Sequence, residues 1–334
     1  MYYSNSDIRV EEIPMPEIGP GELLVKVAAS GICGSDVMEW YRVKTAPRVL
    51  GHEITGEIVE VGEKVKGYKV GDRVFISHHV PCNTCKYCSD GHHTACDTLH
   101  RTNFDPGGFS EHVRIPEINV DRGTYILPDE LSYEDGVFIE PLGCVVRGQR
   151  LARLEPGHSV LIIGSGISGL LHIQLAIAAG AKQVIATDIN KSRLNAAKKF
   201  GADVVHAAED VPGYLRQVNG DRLADRVILC TGAGSAIDQA LNCADRGGVV
   251  QLFAPSSPGV ETPVNLNHLW NDQITLVSTY GAAPVDLEES IEIIRSRRVN
   301  VRDMITHRLK LEEIQAGFQL VADAKESIKV IIKP

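Results

Sequence analysis

The sequence predicts an α/β fold, a doubly wound parallel sheet joined to a smaller β-rich, turn-rich domain. Three observations predict it. Up to about residue 145, short alternating runs are separated by glycine turns; from residue 160 onward, β-branched runs alternate with amphipathic stretches. The length, 334 residues, exceeds one ordinary core and points to about two domains.

The elements follow in order. Charged and apolar residues alternate over 8–10, and a second strand over 23–27 follows the turn Gly19-Pro20-Gly21. Further strands are predicted over 56–61 and 72–77. Beyond Arg147, a strand at 160–163 precedes a helix at 168–179, and a strand at 184–186 precedes a helix at 192–200. Strands at 204–205, 226–230, 249–253 and 275–278, with a helix at 235–244, complete a parallel sheet. A tail of helix 287–297, strand 305–309, helix 311–322 and strand 327–332 closes the chain.

Composition narrows the function. With 43% hydrophobic and 23% charged residues the chain buries enough apolar surface for a globular enzyme, which excludes a disordered or fibrous protein. A net charge of -9 with scattered Lys and Arg argues against nucleic acid or an anionic membrane as partner and favours a small neutral substrate. The apolar stretch 160–181 is interrupted by Gly164, Gly166, Gly169 and His172, which suits a buried strand and helix better than a membrane span. No signal-peptide pattern is visible at residues 1–10, so a soluble, cytoplasmic protein is expected.

Four of the eight cysteines fall together as Cys82-Asn-Thr-Cys85-Lys-Tyr-Cys88 and, after seven residues, Cys96. Four thiolates at this spacing close a tetrahedron around zinc and leave no place for water, so the site is read as structural. His92 and His93 lie in the same loop but are surplus to a filled shell.

A second, dispersed set is Cys33 in Gly31-Ile-Cys-Gly-Ser-Asp36, the pair His52-Glu53, and Glu140 in Ile139-Glu-Pro-Leu142. One thiolate, one imidazole and one or two carboxylates suit a catalytic zinc that keeps a position open. Adjacent residues such as His52 and Glu53 need not both point at the metal, so which glutamate ligates stays open.

The third element is Gly164-Ser-Gly166-Ile167-Ser168-Gly169, directly after a predicted strand and opening a helix. The first glycine makes the turn, the second lets a pyrophosphate approach the backbone, and the third lets the helix pack on its strand. Asp188 ends the next strand, where a carboxylate accepts from ribose hydroxyls and repels a 2′-phosphate, favouring NAD over NADP. Arg193 flanks the adenine or is a solvated helix charge; Thr231 and Tyr280 complete the predicted cofactor set.

With these residues assembled, the chain resembles the zinc-containing medium-chain alcohol dehydrogenases, in particular their sorbitol dehydrogenase-like and threonine dehydrogenase-like bacterial branches. The resemblance runs from Glu11-Glu-Ile-Pro-Met-Pro16 through Gly51-His-Glu53, Val70-Gly-Asp-Arg-Val74, the cysteine lobe, Gly107-Gly-Phe109 and Glu140-Pro-Leu142 to Ile305-Thr-His-Arg308. It implies a Rossmann domain (146–284) inserted in a GroES-like catalytic domain (1–145 and 285–334) with a zinc lobe at about 80–98. It further implies two zinc ions per chain, NAD, and Ser35 as first member of a proton relay. A homo-oligomer, tetramer or dimer, with 266–277 at the interface is expected.

Departures bear on the substrate. Many relatives place a histidine five residues after the zinc cysteine; here that position is Met38. Glu39 stands where sorbitol dehydrogenases commonly have tyrosine, and Thr279-Tyr280 where they carry arginine-tyrosine. Cys144 lies near the position where another branch supplies a zinc thiolate and is read as a neighbour of the site. Of Trp40, Phe109, Leu269 and Tyr280, at most two are expected to line the substrate pocket. Glu39 alone favours an amino-alcohol or threonine 3-dehydrogenase. The acidic balance weighs against a zinc-dependent binding protein, and the set Cys33, His52 and Glu140 against a zinc-free quinone reductase of the same fold.

Overall fold

A computed structural model describes all residues, 1–334. The chain forms two compact units, one made of Met1–Gly143 with Ala282–Pro334 and the other of Cys144–Gly281.

The first unit opens on a small antiparallel pair, β1 (Tyr2–Ser4) and β2 (Asp7–Ile8). The strand expected over 8–10 stops at Ile8. Residues 9–19 form no strand, and Pro14 and Pro16 offer no N–H to a ladder while Val10, Ile13 and Met15 lie exposed. Then come β3 (Leu23–Gly31), β4 (Glu53–Val61), β5 (Arg73–Ser77), β6 (His112–Ile115) and β7 (Thr124–Ile126). Alternate residues of these strands, among them Leu23, Val25, Ile54, Ile58, Val74 and Ile76, face inward and build one core.

The second unit holds β8 (Ser159–Ile163), β9 (Gln183–Asp188), β10 (Asp203–His206), β11 (Ala224–Leu229), β12 (Ala244–Leu252) and β13 (Thr275–Ser278). Their order is β10-β9-β8-β11-β12-β13 and all pairings are parallel. Central β8 is buried along its whole length, as a strand covered on both faces must be. The chain reverses its strand order at β8, where open α/β sheets leave a crevice at the strands' carboxyl ends.

The tail then supplies β14 (Ile305–Lys310) and β15 (Lys329–Lys333) to the first unit. β15 lies between β14 and β3, in a sheet ordered β14-β15-β3-β4-β5-β7 with β6 on the other part of β3. The helix expected over 311–322 begins instead as a 3₁₀ turn, Leu311–Glu313, whose start is capped by Glu313 accepting from the Lys310 N–H. The α-helix proper runs Ile314–Asp323. Sequence patterning also passed over the helices Ile139–Leu151, Val211–Val218 and Leu266–Asp272. In the first two a proline near the start marks the opening turn, where its missing N–H costs nothing. No helix is long and apolar enough to cross a membrane.

Candidate active site and metal centres

Each functional side chain lies at the end of an element that packing has fixed. Cys33 follows β3, while Glu53 opens β4 and sits in register opposite Gly31. Ligand atoms of Cys33, His52 and Glu53 all lie within 4.8 Å of one another. Asp36, fully buried, accepts from the Cys33 N–H at 3.0 Å and places Oδ1 3.3 Å from His52 Nδ1. That contact leaves Nε2 of His52 for a ligand, as second-layer carboxylates do behind metal histidines. Burial works against a charged imidazole, but the Asp36 charge and hydrogen bond outweigh it and hold His52 well above the usual histidine range.

Glu53 carries two different oxygens. Oε2 forms a fully buried ion pair with Lys329 Nζ, which also donates to the Ile32 carbonyl at 3.4 Å. Oε1 is buried without any partner. An orphaned carboxylate oxygen beside a thiol and an imidazole is the donor set a zinc ion completes. Gly31 is required here, since a Cβ would stand 2.2 Å from Glu53 Oε2 and 2.6 Å from Lys329 Cε. Glu140, in the first turn of helix Ile139–Leu151, is not a member of this group.

Around it, Ser35 Oγ accepts from Arg42 Nη2 at 2.9 Å, and the Ser35 carbonyl accepts from Arg42 Nε at 3.0 Å. Met38 immediately precedes the short helix Glu39–Arg42. Glu39 Oε1 accepts from the Asn5 N–H at 3.0 Å. Of the aromatic candidates, Phe109 is core, packed on Phe318, and Trp40 stacks near Tyr41 on the surface. Substituting Asp36 with asparagine is expected to weaken zinc binding by about 10- to 100-fold, read by chelator competition; an unchanged affinity would separate Asp36 from the metal site.

The cysteine lobe is a second centre. No disulfide links these residues; Sγ separations are 3.6 Å for Cys85–Cys88, 3.6 Å for Cys82–Cys96 and 3.9 Å for Cys82–Cys88. Zn–S bonds of about 2.3 Å demand tetrahedral edges of about 3.8 Å, so the four sulfurs fit the ion. Hydrogen bonds from Thr84 and the Cys85 N–H bring the Cys82 thiol down to about 5, favouring the thiolate that binds metal.

In the second unit, the loop after β8 turns at Gly164 (φ +95°) into the helix Ile167–Ala178, which puts Ile167 and Ser168 in its first turn. A Cβ on Gly169 would meet the Gly164 carbonyl oxygen at 2.0 Å, the close packing the third glycine allows. Asp188, at the end of β9, accepts from the Ser165 and Asn190 N–H groups, each at 2.8 Å. Its position is thereby fixed beside the loop. Arg193 approaches the same loop, its Nη1 3.8 Å from where a Cβ on Gly166 would stand. A 410 Å³ cavity in this unit is lined by Thr231, Phe253, Tyr280 and Cys144 among others. Leu269 instead packs against the unit's core.

Sequence reading missed Asp36, Arg42 and Lys329. Asp36 stood inside a quoted motif with no role; nothing local marks Lys329, which reaches Glu53 only through the β15–β3–β4 order.

Residues 19–124 match the alcohol dehydrogenase GroES-like domain, and residues 168–296 match the zinc-binding dehydrogenase family. Sorbitol dehydrogenase of Bacillus subtilis is 31% identical over 99% of this chain and 96% of its own length. Sorbitol dehydrogenase of Mus musculus is 34% identical over 98% of this chain and 93% of its own. The structure of 2R,3R-butanediol dehydrogenase from Bacillus subtilis superposes with a TM-score of 0.88 at 27% identity, covering 100% of this chain and 98% of that one. The chain therefore belongs to the zinc-dependent medium-chain alcohol dehydrogenases, is sorbitol dehydrogenase-like, and is an NAD-dependent oxidoreductase acting on the CH–OH group of an alcohol or polyol.

Proposed function

We propose that Cys33, His52 and Glu53 hold the catalytic zinc at which a secondary alcohol or polyol is oxidised to a ketone, with NAD accepting the hydride. The orphaned Glu53 Oε1 within 4.8 Å of a thiol and an imidazole carries this reading. Zinc, when bound, supplies a Lewis acid that lowers the pKa of the substrate hydroxyl. Ser35 takes the hydroxyl proton: one of its lone pairs is held by Arg42, leaving the other and its own O–H for the relay. Arg42 orients Ser35 but cannot carry the proton, because a guanidinium stays charged. Met38 offers no base at its position, so Ser35 passes the proton on by another route. Glu140 acts from behind the ligands or exchanges with Glu53. Cys82, Cys85, Cys88 and Cys96 hold a structural zinc.

In the second unit, the loop Gly164, Gly166, Ile167, Ser168 and Gly169 receives the pyrophosphate of NAD, Asp188 the adenosine ribose, and Arg193, Thr231 and Tyr280 flank the cofactor. The domains follow the limits 1–145 with 285–334, and 146–284. A cytoplasmic homo-oligomer is proposed, tetramer or dimer. Supporting it, β13 is an edge strand with Leu276 39% exposed, next to a helix that exposes Leu266 at 73% and Trp270 at 78%. Nucleic acid and membranes are not partners in this reading, in keeping with the acidic net charge of -9.

The test is a panel of sorbitol, xylitol, inositol, threonine and simple secondary alcohols with NAD, following NADH absorbance before and after chelation. Polyol turnover that chelation abolishes is expected. Turnover of threonine alone, or turnover indifferent to metal, contradicts the proposal.

A further inference from the structure

Phe253 lines the 410 Å³ cavity of the second unit with Thr231 and Tyr280, and the side chains packed on it are polar. His172, in helix Ile167–Ala178, lies perpendicular to it, with ring centroids 4.6 Å apart and planes at 88°. Gln251, two residues before Phe253 on β12, projects from the same face of the sheet. His172 and Gln251 are both fully buried. Gln149 fixes the state of the imidazole: its Nε2 donates to the His172 carbonyl at 2.9 Å, which sets the orientation of the amide, and lies 3.3 Å from His172 Nδ1. Nδ1 therefore accepts, and the ring carries its proton on Nε2. Burial brings the His172 pKa down to about 3, so the ring is neutral. That Nε2–H has no partner, and neither has Gln251 Oε1 nor Gln251 Nε2. The three side chains converge on one point: a Cβ on Gly148 would stand 2.3 Å from Gln251 Nε2 and 3.3 Å from both His172 Cε1 and Phe253 Cδ2. Glycine is otherwise unfavourable inside a helix such as Ile139–Leu151, so its place here serves this convergence. Orphaned polar atoms gathered in a folded interior are rare, and enclosed water is what ordinarily satisfies them.

We propose that ordered water binds beside Gly148 to His172 Nε2 and the Gln251 amide, and that this water, with Gln149, makes His172 a positioning residue that holds Phe253 in the wall of the cavity. Hydrogen bonds on both ring nitrogens resist rotation of the imidazole, which an apolar neighbour would leave free to turn. Phe253, packed on that ring, keeps its place against the cavity as a consequence. The positioning role rests on the reading of Thr231 and Tyr280 as NAD-binding residues; the water site does not.

Crystallography and cofactor titration test the two halves separately. A high-resolution crystal structure of the zinc-loaded protein is expected to show water hydrogen-bonded to His172 Nε2 and to the Gln251 amide. A dry contact, with His172 Nε2 bonded directly to Gln251 or facing an empty space, overturns the water site. Fluorescence titration with NADH is expected to find binding weakened about 10-fold in His172→Leu, the order set by one buried polar group left unpaired. In kinetics the same variant should raise KM for NAD more than it lowers kcat. His172→Gln, which keeps a donor near the Nε2 position, should retain most of the affinity. The double variant His172→Leu with Gln251→Leu removes the orphaned atoms altogether, so its urea midpoint should recover while NADH binding stays weak. NADH affinity unchanged in His172→Leu, or restored along with the midpoint in the double variant, overturns the positioning role. A wild-type protein that binds no NADH would sink the cofactor reading and the positioning role with it, while the crystallographic arm still decides the water site.

Discussion

Replacing Cys33 with alanine is expected to lower kcat by about 10³-fold or more, since the metal's stabilisation of developing charge amounts to several kcal/mol. The same replacement removes one of about two zinc equivalents per chain and leaves the other, because the cysteine lobe builds its own closed shell. His52→Ala should behave alike. Cys96→Ala should do the reverse, losing the lobe's ion and thermal stability. Metal analysis beside steady-state kinetics reads both effects. Retention of two zinc equivalents in Cys33→Ala would detach this thiol from the metal.

Lys329→Met is expected to destabilise the first unit by about 3–5 kcal/mol, because it strands the Glu53 carboxylate without its counter-charge in a dry interior. The partner variant Glu53→Gln combined with Lys329→Met should recover much of that loss, since a neutral amide no longer demands a cation. Urea unfolding of the single and double variants forms the cycle. Additive losses would show that the two side chains do not act as a pair. The cycle also separates two duties of Glu53: the combined variant restores stability yet lacks the carboxylate charge, so turnover should stay low while the midpoint recovers.

The parts of the fold that were legible in the sequence are those whose cause is local. Glycine spacing at 164–169, the β-branched run before it, and Asp188 at the end of the following strand are short-range signals, and the structure places them together. The cysteine lobe was legible for the same reason: four thiols within fifteen residues. Cys33 and His52 were legible only as motifs, for their nearness depends on β3 pairing with β4. Residues 9 and 10 misled because alternation mimics a strand even where both side chains are exposed. Arg42 looks like a surface charge in a linear reading. Only the fold turns Arg42 toward Ser35 and Asp36.

The place of β15 between β14 and β3 has a consequence for biosynthesis. The second unit is one continuous stretch, Cys144–Gly281, and can mature while translation proceeds. The unit that begins first must wait: Glu53 meets Lys329 only after 276 further residues have left the ribosome. Until then a nascent chain exposes the open flank of β3 and a carboxylate with no counter-ion, a stage at which chaperone protection matters most. Completion of the Glu53–Lys329 pair is thus a late event in the life of each new polypeptide, and slow ribosomes lengthen the interval before it forms.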